Sequence, residues 1–197
     1  MNLRPWWHFT RSRVLLLFNR REQAVHELRE ALRCDPGYAG AASALGHLYG
    51  TLRRFGPAAE QFNAALRKDP NNAVLLFDLG YVYHLDNRYE QAIETFKLAL
   101  ERNPKIDRAW YGMGLALSSL GRHEEAAAAL DKAARLQPMN GYAWYELGMA
   151  YHALDRRDKL DEVIAHLGEF DPKMTKHLTQ ATAKPAEPSG PGAKGRE

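Results

Sequence analysis

Five prolines, Pro36, Pro70, Pro104, Pro138 and Pro172, stand 34 residues apart along the chain. A fixed period of that length marks a stack of like supersecondary units, each packing mainly on its neighbours, and argues against a single closed core. Other residues keep the same step. Gly46, Gly80, Gly114 and Gly148 form one column, and Ala24, Ala58, Ala92 and Ala126 form another.

Within one period the apolar residues follow helical spacing. Leu76, Leu79 and Tyr83, then Ala92, Phe96 and Ala99, recur three and four apart on either side of the polar turn Asp86-Asn87-Arg88, which predicts two helices per unit and no strand. The expected fold is all-α, a right-handed solenoid of five helix-turn-helix repeats at 5–38, 39–72, 73–106, 107–140 and 141–174, with residues 1–4 as a head. Residues 184–197 are rich in Pro, Gly and Ala and lack apolar side chains to bury, which predicts a disordered tail. In the fifth unit Leu160 and Leu167 stand where earlier units have alanine. These larger side chains need a cover, and Met174 and Leu178 place a candidate capping helix at 175–183.

Composition narrows the function classes. A net charge of +3 over 197 residues is too small to imply specific nucleic-acid binding. The lone Cys34 has no intramolecular partner and suits a reducing compartment. The apolar run Val14 to Phe18 is too short to span a bilayer, and a cytoplasmic location is expected. None of the eight histidines has paired metal-ligand spacing, the single cysteine has no evident histidine partner and no Gly-rich phosphate loop is present, so neither an enzyme nor a metal or other cofactor is expected.

The repeat resembles the tetratricopeptide repeat family, whose consensus runs Trp, Leu-Gly and Tyr on the first helix, Ala, Phe and Ala on the second, and then Pro. The residues that carry the resemblance include Trp144, Leu147, Gly148, Tyr151 and Pro172, and also Leu79, Gly80, Tyr83, Ala92, Phe96, Ala99 and Pro104. The first unit departs from it, with Ser12 for the glycine and Arg11 for the leucine. Trp110 and Trp144 are read as scaffold residues. The resemblance implies that the first helices of successive units line a concave groove. On that face one column reads Phe9, Ser43, Phe77, Tyr111 and Tyr145, and the next reads Arg13, His47, Tyr81, Leu115 and Met149. Asp78, His84, Arg108, Tyr142, Glu146 and His152 flank them.

Aromatic anchors beside a few polar groups are what peptide grooves use. The candidate partner-binding residues are therefore Phe77, Asp78, Tyr81, His84, Arg108, Tyr111, Tyr142, Tyr145, Glu146 and Met149. The Lys and Asn clamp with which some members hold chaperone C-termini is missing. The expected partner is another protein, presenting an apolar or aromatic peptide or helix with basic residues that suit Asp78 and Glu146. This describes an adaptor or assembly factor. The alternative is a structural or self-assembling subunit that uses its terminal repeats or a basic edge, Arg20, Arg54, Arg88, Arg122 and Arg156. The N-terminal stretch from Met1 to Arg21, with Trp6, Trp7 and five arginines, suggests membrane contact, while the simpler expectation has Leu15 and Phe18 joining the stack.

Overall fold

The computed structural model describes residues 4–183. They form eleven helices, and no strand occurs among the described residues: α1 (Arg4–Leu17), α2 (Arg21–Cys34), α3 (Ala39–Thr51), α4 (Phe55–Leu66), α5 (Ala73–Leu85), α6 (Tyr89–Arg102), α7 (Asp107–Ser119), α8 (His123–Leu136), α9 (Gly141–Ala153), α10 (Arg157–Phe170) and α11 (Pro172–Thr182). The chain divides into two compact units, 1–112 and 113–197, with the boundary inside α7. The segment expected to be a disordered tail, 184–197, lies outside the described residues.

Five turns of three residues each join the paired helices, and their middle residues, Asn19, Arg53, Asn87, Gly121 and Asp155, all have φ between 54° and 72°. They too are 34 apart. In each turn the next amide, that of Arg20, Arg54, Arg88, Arg122 or Arg156, donates to the carbonyl five residues back at 2.9–3.0 Å. The amide of the middle residue donates to the carbonyl three residues back at 3.0–3.1 Å. This is the Schellman ending, which satisfies the last carbonyls of a helix and needs a left-handed residue to do so. Asn, Asp and Gly tolerate that conformation, whereas Arg53 adopts it at a steric cost.

Four of the periodic prolines lie in the connections between helix pairs, and the fifth, Pro172, opens α11, where a missing amide costs nothing. Asn72, Asn140 and Asp171 cap α5, α9 and α11 through their side-chain oxygens. Trp110 and Trp144 each donate the indole N–H to the carbonyl of the proline six residues earlier, Pro104 at 2.9 Å and Pro138 at 2.8 Å. Both indoles are thus used as struts between a connection and the helix that follows it.

In the first unit the core is built layer upon layer between successive helices. Ala24, Val25, Leu28 and Ala31 of α2 meet Ala41, Leu45 and Leu48 of α3, while Ala58, Phe62 and Ala65 of α4 meet Ala42, Leu75, Leu79 and Val82. A Cβ added at Gly46 would come within 3.0 Å of the Phe62 ring, and one at Gly80 within 2.8 Å of the Phe96 ring. A side chain at either crossing would have to displace the facing ring. Helix α1 lies on α2, where buried Ser12 donates to the Phe9 carbonyl and buried Glu27 pairs with His8 at 2.7 Å and Arg11 at 3.4 Å. Leu15 packs against this core. Phe18 does not join it as expected, because it falls in the turn after α1 and is 73% exposed.

In the second unit Gly114 faces Leu130 in the same way, but Gly148 meets Leu178 of α11, with added-Cβ distances of 2.6 Å in both cases. Leu160 and Leu167 are fully buried, and α11 packs against both α9 and α10. Helix α11 thus occupies the close approach beside Gly148 that a repeat's own second helix takes elsewhere.

Candidate partner-binding surface

In the first unit, helices α3 and α5 enclose a cleft of about 290 Å³ lined by Gly46, His47, Gly50, Thr51, Phe62, Asp78, Tyr81, Val82 and Leu85. Its breadth follows from Gly46 and Gly50 of α3, which leave the Phe62 ring and Val82 as an apolar floor. At the rim the His47 imidazole Nε2 lies 3.3 Å from Asp78 Oδ2. The hydrogen bond to Asp78 raises the His47 pKa above its usual 6.5 against the opposing effect of burial. The cleft is therefore apolar inside, with a carboxylate at one edge.

Of the sequence-expected residues, Phe77, Asp78, Tyr81 and Arg108 are brought together here. Tyr81 stacks on Phe77 with ring centroids 6.3 Å apart and is 49% exposed. Phe77 itself is buried against Phe96, 6.1 Å away, and the Arg108 guanidinium covers its other side at 5.0 Å. Its ring supports Tyr81 more than it faces solvent. His84 sits apart, half-buried near the Tyr89 ring at 5.7 Å. Burial lowers its pKa, and its Nδ1 has no hydrogen-bond partner among the described residues. Tyr111 is partly buried on α7.

In the second unit Tyr142, Tyr145, Glu146 and Met149 lie on successive turns of α9. Tyr142 is 66% exposed, and the other three are partly buried. Burial raises the Glu146 pKa, so the site favours a neutral carboxyl or one matched by a cation. Sequence reasoning missed a polar cleft lined by Asp131, Arg135, Trp144, Leu147, Tyr151, Lys159, Glu162, Val163 and His166. There the His166 ring meets Trp144 at a tilt, with centroids 4.3 Å apart, and Phe170 edge-on at 5.4 Å. No periodic column announced it, because the positions equivalent to His166 hold Glu30, Ala64, Leu98 and Lys132.

The expected basic edge is largely matched by acids. Arg54 makes two hydrogen bonds to Glu22 at 2.8 and 3.1 Å, Arg156 reaches Glu124 at 2.7 Å, and Arg122 pairs with Glu125 at 2.6 Å. Arg88 lies over the Tyr83 ring at 4.4 Å. No group of three or more His, Cys, Asp or Glu able to hold a metal occurs among the described residues.

Two family models match the sequence, "Tetratricopeptide repeat" over residues 43–107 and "TPR repeat" over residues 115–155, together more than half of the chain. The chain belongs to the tetratricopeptide repeat family. Its all-α fold is that of the family's solenoids. MamA from Desulfovibrio magneticus is 21% identical, with a TM-score of 0.77 over 93% of this chain and 99% of that one. YrrB, described as a TPR protein with an unusual peptide-binding site, is 23% identical, with a TM-score of 0.75 over 88% of this chain and 90% of that one. PilF of Pseudomonas aeruginosa is 21% identical, with a TM-score of 0.72 over 91% of this chain and 84% of that one. No curated protein sequence matches this one. Membership in the tetratricopeptide repeat family makes the chain a scaffold for protein interaction in general, and such scaffolds are typically non-catalytic. Among the described residues no helix is long and apolar enough to cross a membrane.

Proposed function

We propose that this tetratricopeptide repeat protein is a cytoplasmic adaptor or assembly factor that binds an apolar or aromatic segment of a partner protein, a peptide or a helix, carrying a basic residue. The observation that carries the reading is the cleft between α3 and α5. An inserted partner side chain meets the Phe62 ring and Val82, Tyr81 covers it, and a neighbouring Lys or Arg meets Asp78 in place of His47. Desolvated aromatic contacts of this kind dominate binding energies, and the carboxylate selects the sign of the partner's charge. In the second unit Tyr142, Tyr145, Met149 and Glu146 repeat the combination of aromatic, apolar and acidic groups. YrrB, which shares the fold, has a peptide-binding site by its description.

A random peptide library displayed on phage and selected on the intact protein tests this. Enriched sequences are expected to pair an aromatic or large aliphatic residue with Lys or Arg. Tyr81→Ala is expected to weaken a selected peptide by on the order of 2 kcal/mol, and Asp78→Asn to remove the preference for basic residues. Selected peptides that bind both variants and the Tyr142→Ala variant as tightly as the parent would overturn the reading.

A further inference from the structure

Helix α1 presents an unpartnered face unlike any groove residue. Trp6, Trp7 and Leu17 are 58%, 61% and 84% exposed, Val14 is also exposed, and Phe18 follows just beyond the helix end. At about 100° per residue, Trp6, Leu17, Thr10, Val14 and Trp7 fall within an arc of about 100°. Arg13 borders that arc on one side and Arg11 on the other, and the opposite side of the helix docks on α2 through Pro5 and Ser12. From Arg4 to Arg21 there are five arginines and no carboxylate.

Two indoles beside aliphatic side chains and flanked by guanidinium groups fit the boundary between headgroups and acyl chains. The ring N–H faces water there, the apolar residues enter the acyl region, and the arginines extend outward to phosphates. At 14 residues α1 is too short to cross a bilayer, so it fits lying on one. A second α1 facing this one would set arginine against arginine with no carboxylate on either α1 to offset them, since Glu27, beside Arg11, belongs to α2 and is buried, which disfavours docking between two copies through this face. We propose that α1 is an interfacial helix that seats the chain on an anionic lipid surface, separately from the groove.

The test uses the full chain with vesicles of phosphatidylcholine alone and of phosphatidylcholine mixed with phosphatidylglycerol. Cosedimentation is expected to be at least about tenfold stronger with the anionic vesicles and to fall with added salt. The Trp6→Ser, Trp7→Ser, Leu17→Ser triple variant is expected to lose it, while Tyr81→Ala retains it. On the unaltered protein, brominated acyl chains in the anionic vesicles are expected to quench indole emission, a reading that does not depend on how any variant folds. Absence of that quenching, or equal binding to both vesicle types, overturns the proposal. So does a lipid-free oligomer that the triple variant disperses, since the face then belongs to a second copy of the chain.

Discussion

At the scale of single residues, one position works against the repeat it belongs to. Arg53 holds φ at 57° where the equivalent residues are Asn19, Asn87, Gly121 and Asp155. A left-handed non-glycine residue costs about 1–2 kcal/mol, part of which glycine returns as lost chain entropy. Arg53→Gly is therefore expected to stabilise the protein by on the order of 0.5–1 kcal/mol in urea denaturation. His47 supplies a pH dependence. Its pKa is raised in the folded protein, chiefly by the hydrogen bond to Asp78, so its stabilising effect is complete below the unfolded value of about 6.5. That effect is lost as pH rises through the raised folded value. The stability gap between the parent and His47→Ala should narrow on going from mildly acidic to mildly alkaline buffer, and Asp78→Asn should flatten it. A gap that widens with pH would show that Asp78 does not hold the proton there.

Among the elements, α11 carries the clearest consequence. Its Leu178 is fully buried beside Gly148, and Asp171 caps its first turn. Leu178→Ala removes a buried side chain at a tight crossing and is expected to cost about 2–5 kcal/mol. Deleting 173–197 should lower the melting temperature further and promote association by uncovering α9 and α10, while deleting 184–197 should change neither. Identical melting and monomeric behaviour of both truncations would mean that α11 covers nothing of value. The need for a cover was legible in Leu160 and Leu167, which are too large for positions that hold alanine elsewhere. That Leu178 would lie against Gly148 was not legible, because a glycine column states that something approaches closely without saying from which helix.

For the whole molecule, charge is balanced along most of the chain, with the stretch from Arg4 to Arg21 as the exception. The arginine ladder meets Glu22, Glu124 and Glu125, and the net charge is only +3. Binding to a labelled DNA duplex is accordingly expected to vanish at physiological salt when followed by fluorescence anisotropy. Binding that persists there would show the ladder to be free for phosphates. The 34-residue period by itself determined the class of fold, the helix pairs and the close glycine crossings, because each is a local or nearest-neighbour consequence of spacing. Together with the family resemblance it named the columns from which the proposed groove residues are drawn. Only the tertiary structure decided which members of a column reach solvent: Phe77 is buried under Arg108 and against Phe96, whereas Tyr81, one turn on, stands at the mouth of the cleft. The same holds for Phe18, whose apolar side chain looked ready for the core until the turn after α1 placed it outside. Periodicity reports the direction in which a side chain leaves its own helix, while burial depends on what other helices bring against it.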